Sequence, residues 1–178
     1  MSTTVRTDPE TPHAEATSTG TATGAPTGRL RWIALASGTA AVIHLAVTPE
    51  HFEEWWVFGT FFVVVGCFQL ALGVLVLRRP TWPVALVGVV VNLAVVLVYV
   101  ASRTTGLPIE PPEDITSHAW SHVAEGAGPA DLAATAAELA VVCLLVTLLP
   151  PRLRRTTVNC LLVTGAGLWV LRLSGALG

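Results

Sequence analysis

The chain has 178 residues, 52% of them hydrophobic and 12% charged, with a mean hydropathy of +0.65 and a formal net charge of −2. Soluble domains carry about 25% charged residues, so this composition excludes an ordinary soluble domain and points to a polytopic membrane protein. All ten cations are Arg, and with a net charge below zero there is no basic surface for nucleic acid.

Residues 1–28 are rich in Thr, Pro, Gly and Ala. Apart from Met1 and Val5 they carry almost no large apolar side chain. Such a segment cannot bury enough surface to offset its ordering entropy and is expected to be a disordered tail. It lacks the apolar centre of a secretory signal and carries Asp8, Glu10 and Glu15. Residues 29–178 are expected to form the membrane domain.

The first span is expected over about 30–47, introduced by Arg29, Arg31 and Trp32, with small residues in its middle that allow close helix approach. Thr48-Pro49 is expected to end it, with Thr48 as N-cap and Pro49 as the first residue of the next helical segment. The stretch from His44 to Trp56, HLAVTPEHFEEWW, reads as a membrane-surface turn. The second span covers about 55–77, with Gln69 its only strongly polar interior residue, and Arg78-Arg79-Pro80 closes it. The third covers about 83–101, with Trp82 and Tyr99 at its boundaries. Asn92, in mid-span, is expected to hydrogen-bond a neighbouring helix.

Residues 102–128 form the longest loop. Within it DITSHAWSHVA reads as a short interfacial helix. The fourth span covers about 129–149 and ends at Pro150-Pro151, followed by Arg152, Arg154 and Arg155. The fifth covers about 157–173, with a small-residue patch from Thr164 to Gly167. The three cysteines, Cys67, Cys143 and Cys160, lie in apolar runs without C-x-x-C spacing, which argues for small packing residues rather than a disulfide framework.

The fold class is therefore all-α, a five-helix transmembrane bundle. Arginine placement orients it. With the N-terminus cytoplasmic, Arg6, Arg29, Arg31, Arg78, Arg79, Arg152, Arg154 and Arg155 lie inside, while Arg103 and Arg172 lie outside. The C-terminus then lies outside, and the expected location is the bacterial inner membrane.

This topology brings His44, His51, His118 and His122 to the outer half, together with every acid beyond the tail. Glu138 lies seven residues after Asp131, two turns into the fourth helix, at a depth that places a carboxylate in hydrocarbon. Such a group costs ~2.5–3.5 kcal/mol at mid-span and is expected to face the bundle interior. His44 sits at a comparable depth on the first helix, so contact between the two helices would make an interior His–carboxylate pair. His118 and His122 are four apart, on one face of a helix, a spacing that suits Zn or Cu. Ala119 after His118 excludes a zincin motif. Asp131 suits the first turn of a helix opened by Gly128-Pro129. Arg103 either snorkels to the interface or neutralises Asp131 or Glu138.

Two stretches, S-R-T-T-G-L-P from Ser102 to Pro108 and G-P-A-D-L-A-A-T-A-A-E-L from Gly128 to Leu139, resemble a pattern in an uncharacterised family of small bacterial multi-pass membrane proteins. His51, Phe52, Glu54 and Trp55 resemble an H-F-x-E-W-type turn found in many of them. The resemblance implies a membrane fold and draws attention to His51, Arg103, Asp131 and Glu138. It implies no activity, and His118 and His122 lie outside it.

Three functional classes are open. One is an outward-facing His/carboxylate site that binds a divalent transition metal, Zn or Cu, or relays protons. Its ligands would be His44, His51, Glu54 and Glu138, with His118 and His122 as a second pair, and Arg103 and Asp131 in support. Another is an accessory or structural membrane protein without chemistry. The third is an intramembrane metal-dependent enzyme. The expected partners are the lipid bilayer and a second copy or another membrane-complex subunit.

Overall fold

Five helices follow one another in chain order in the computed structural model, which describes residues 27–104 and 127–175. They are α1 (Thr27–Glu54), α2 (Trp56–Arg78), α3 (Trp82–Thr104), α4 (Pro129–Val146) and α5 (Pro151–Leu173). Among the described residues α1 to α4 are long and apolar enough to cross a membrane, which supports an integral membrane protein. At 1.5 Å per residue the shortest of them, α4, is about 27 Å long. The segments 1–26 and 105–126 lie outside the described residues. The expected tail, the loop helix and the pair His118 and His122 fall wholly or largely there.

The first four helices close a ring. α1 packs on α2 and α4, and α3 completes the ring between them, while α5 touches α4 alone. The short connections from α1 to α2, α2 to α3 and α4 to α5 force those neighbours to run antiparallel. The closest seam joins α1 to α2. Gly59, Gly66 and Gly73 of α2 recur every seven residues; a Cβ at the first two would overlap Phe52 and Leu45 of α1, and one at Gly73 would come into ordinary contact with the Ala34 backbone. In lipid such close backbone approach, rather than hydrophobic exclusion, is what holds helices together.

Two boundaries differ from the sequence expectation. α1 does not stop at Thr48-Pro49 but runs on to Glu54 with Pro49 inside it. Thr48 is not an N-cap, since its hydroxyl donates to the His44 carbonyl at 2.8 Å, within the same helix. Pro49 withdraws one N–H from the ladder, and local side-chain donors of this kind make such losses tolerable in membrane helices. The reversal occurs at Trp55, whose extended backbone (φ −165°, ψ 135°) separates α1 from α2. The stretch from His44 to Trp56 is thus mostly helix, with a turn at its far end. In the same way α5 starts at Pro151 and not near Thr157, because proline suits a first helical position. Its first turns therefore carry Arg152, Arg154 and Arg155.

The interior is divided along its length. Towards the arginine-bearing end it is apolar, built from Leu30, Ile33, Leu72, Val76, Val89, Leu145 and their neighbours. The polar groups lie beyond this layer. Ser37, His44, Gln69, Asn92 and Glu138 are all buried. The three cysteines are free and stand on the outside of their helices.

Candidate functional site

α1 turns one stripe inward, and Ser37, Ala40, Ala41, His44 and Thr48 are its buried members. Their spacing of three and four residues is that of a single helix face. α4 does the same with Ala134, Glu138, Val141 and Leu145. Where the two stripes meet, His44 Nε2 and Glu138 Oε1 are 2.7 Å apart, with the side chains 6% and 2% exposed. The two helices touch at this depth, and His44 and Glu138 form an interior His–carboxylate contact.

A contact of this length holds one proton between nitrogen and oxygen. Either Nε2–H donates to a carboxylate or a carboxylic acid donates to Nε2. The other ring nitrogen, Nδ1, is buried and has no hydrogen-bond partner. The ring lies 5.7 Å from that of Phe62, tilted by 44°. Phe62 in turn lies 4.0 Å from the His51 ring, centroid to centroid, so it stands between the two histidines.

His51 is half-buried, two turns further along α1. Its Nδ1–H donates to the Val47 carbonyl at 2.8 Å, which fixes the tautomer and leaves Nε2 as the nitrogen open to exchange. Glu54 is exposed at the end of α1 and does not join the pair. Among the described residues no three His, Cys, Asp or Glu side chains are grouped as a metal would require. The four inner ligands expected from sequence therefore resolve into one close pair, one histidine behind an aromatic ring and one exposed carboxylate.

Arg103 and Asp131 form a second contact, at the mouth of the bundle. Arg103 Nη2 donates to Asp131 Oδ2 at 3.0 Å, and this joins the last turn of α3 to the first turn of α4. The same oxygen accepts the Gly128 N–H at 3.1 Å, the return half of a helix-start capping arrangement. The Arg103 guanidinium also lies 5.7 Å from the centre of the Tyr99 ring. Of the sequence alternatives for Arg103, its partner is Asp131, not Glu138.

A third polar feature crosses the bundle. The Ser37 hydroxyl faces both the Gln69 carbonyl at 2.7 Å and Gln69 Oε1 at 2.8 Å. Gln69 Nε2 donates to Asn92 Oδ1 at 2.8 Å, and Asn92 Nδ2 donates to the Gly88 carbonyl at 2.8 Å. Gly88 O can only accept, so it fixes the direction of both amides and makes Ser37 the donor at the other end. Gln69 and Asn92 were legible as mid-span polar residues. Ser37, hidden in a run of small residues, was not assigned a role, although its place seven residues before His44 could have found it.

No protein-family model, curated protein or solved structure matches this chain.

Proposed function

We propose that the chain is an integral protein of the cell membrane whose working group is the His44–Glu138 pair, a site that takes up and returns one proton from the non-cytoplasmic side. In this reading the arginine-bearing end is cytoplasmic and α5 makes a fifth crossing, with the N-terminus inside and the C-terminus outside. Arginine placement supports it: Arg78, Arg79, Arg152, Arg154 and Arg155 stand on connections at one end of the bundle, and Arg103 alone among the described loop-flanking arginines at the other.

The observation that carries the proposal is the buried 2.7 Å contact beside an unpartnered Nδ1. With Nδ1 bare, the hydrogen-bonded pair carries a net negative charge in a low-dielectric interior, where charge is costly. One added proton neutralises it, as imidazolium–carboxylate or as imidazole–carboxylic acid. Those two forms differ only in where the shared proton sits, and in both of them Nδ1 bears a proton. Nδ1 is therefore the atom through which the proton enters and leaves. His51, with Nε2 open to exchange, stands on the side from which it would come. The apolar layer around Ile33, Leu72, Val89 and Leu145 closes the opposite side, which makes the site one-ended and not a conduit.

A second reading is favoured by the Ser37–Gln69–Asn92 chain. It shows that this bundle also uses buried polar links simply to join helices, and the His44–Glu138 pair could be another. Infrared difference spectra of the protein in proteoliposomes, recorded as the pH of one side is changed, separate the two. The proposal expects carboxyl and imidazole bands that respond to the pH of one face only and vanish in Glu138→Gln, which still folds. Silent spectra, with folding lost in Glu138→Gln, would leave the pair as a helix clamp.

A further inference from the structure

We infer that the groove between α1 and α4 is a binding site for an anionic glycerophospholipid, with one acyl chain lying in the groove and the phosphate held by Arg29 and Arg31. The inference is independent of the His44–Glu138 reading.

The groove is about 360 Å³ and is lined by Trp32, Leu35, Ala36 and Thr39 of α1 and by Ala137, Ala140 and Leu144 of α4. Three of its lining positions, Ala36, Ala137 and Ala140, are small, which leaves room between the two helices. Its α1 wall covers eight residues from Trp32 to Thr39, so it is about 10 Å long, the shape of an acyl-chain segment and not of a globular ligand. It opens sideways, as the outward-facing Trp32 and Leu35 show, at 66% and 60% exposure.

What lies at one end of the groove identifies the ligand. Arg29 is one turn before Trp32, and Arg31 is one turn before Leu35, so both continue the same walls. Arg29 Nη1 donates to Thr147 Oγ1 at 3.2 Å, and Thr147 is the next turn of the α4 wall after Leu144. The guanidinium is thus held across the groove's end, half-buried, between the same two helices. Arg78, Arg79, Arg152, Arg154 and Arg155 are exposed on the same end of the bundle. Among the described residues every carboxylate (Glu50, Glu53, Glu54, Asp131 and Glu138) belongs to the opposite half. A planar guanidinium suits a phosphate in two-point contact, and an end whose described residues are cationic without acids favours an anionic headgroup over a zwitterionic one. Trp32 completes the site with an aromatic ring of the kind that settles at headgroup level.

The test measures lipid retained by the detergent-purified full chain in native mass spectrometry, after equilibration with phosphatidylglycerol or phosphatidylcholine of equal chain length. The expected result is retained phosphatidylglycerol. Arg31→Gln is expected to lower its preference over phosphatidylcholine about five-fold. Ala140→Phe, which fills the groove from an outward-facing position, is expected to expel lipid of either kind. Should a variant fail to fold, quenching of the wild-type protein by phosphatidylglycerol brominated on its acyl chain gives the same information, because Trp32→Phe removes the quenched component. Equal retention of the two lipids, retention unchanged by Ala140→Phe, or a dimer whose groove is shielded by α5 of a second copy would each overturn the assignment.

Discussion

Ser37 and His44 stand two turns apart on one buried face of α1, and each carries a separate polar link out of that helix. Ser37 reaches α2 through Gln69, and from there the link runs on to Asn92 of α3. His44 reaches Glu138 of α4. The face of α1 is therefore joined by hydrogen bonds directly to α2 and α4, and through Gln69 to α3, at two levels. Between the levels only Ala40 and Ala41 intervene, both fully buried. The two networks do not exchange partners, so they can be tested separately.

The pair is expected to show strong coupling in a double-mutant cycle. Glu138→Leu alone leaves His44 with neither ring nitrogen bonded, and His44→Leu alone leaves a buried carboxyl group without its partner. Each single change is expected to cost about 1–3 kcal/mol, the penalty for a buried polar group left unpaired. Replacing both removes the penalty along with the pair, so the double variant should be closer to wild type than the sum of the singles. Unfolding in mixed micelles by detergent titration reads this directly. Additive losses would mean that the two side chains do not act as a unit.

The transverse chain predicts a smaller effect. Gln69→Leu removes the donor to Asn92 Oδ1, while Ser37 keeps the residue 69 backbone carbonyl as an acceptor at 2.7 Å. Interhelical hydrogen bonds in membranes are worth roughly 0.6 kcal/mol on average and up to about 1.7. The same detergent titration should therefore show a loss of about 1 kcal/mol, with the fold retained. A collapse of the bundle would assign the chain a far larger share of its stability.

Depth was the feature most legible in the sequence. A carboxylate and an imidazole each two turns inside an apolar helix have few places to go, and so Glu138 and His44 could be paired before any coordinates. Asn92 was legible for the same reason. Local punctuation was less reliable. Thr48-Pro49 looks like a helix boundary, yet packing against α2 continues through it as far as Phe52, opposite Gly59. Tertiary contact on both sides of the proline outweighs the single lost backbone bond. Glu54 lies one turn past His51 but is exposed, since it is the last residue of α1. The seven-residue glycine repeat of α2 is visible in the sequence, but its counterparts on α1 depend on a register that only the folded chain fixes.

Two glycines at helix contacts, Gly66 of α2 and Gly88 of α3, should respond differently to the same substitution. A Cβ at Gly66 would meet Leu45 at both Cγ and Cδ2, at 2.8 Å, but Leu45 is 37% exposed and can turn outward. A Cβ at Gly88 would meet Leu145 at 2.5 Å and Leu72 at 3.0 Å, which are 0% and 3% exposed and have no free direction. Gly66→Ala should therefore be the milder change, since Leu45 can move aside. Gly88→Ala should cost about 1–3 kcal/mol, the usual range for overpacking. Equal thermal shifts for the two variants in one detergent would contradict this view of the seam.

The Arg103–Asp131 contact at the mouth should contribute little at equilibrium and depend on salt. Both side chains are partly open, at 27% and 32% exposure, and exposed ion pairs are worth about 0.2–1 kcal/mol. Asp131 also accepts the Gly128 N–H, so Arg103→Gln removes one of its two donors and leaves the other in place. Asp131→Asn keeps a side-chain oxygen for Gly128 but removes the charge that Arg103 faces. Both variants should therefore fall within about 1 kcal/mol of wild type at low ionic strength. The difference should shrink as salt is raised towards 1 M, where the screening length is about 3 Å. Denaturation at two salt concentrations checks both statements, and a large, salt-independent loss would show the contact to be sealed from solvent.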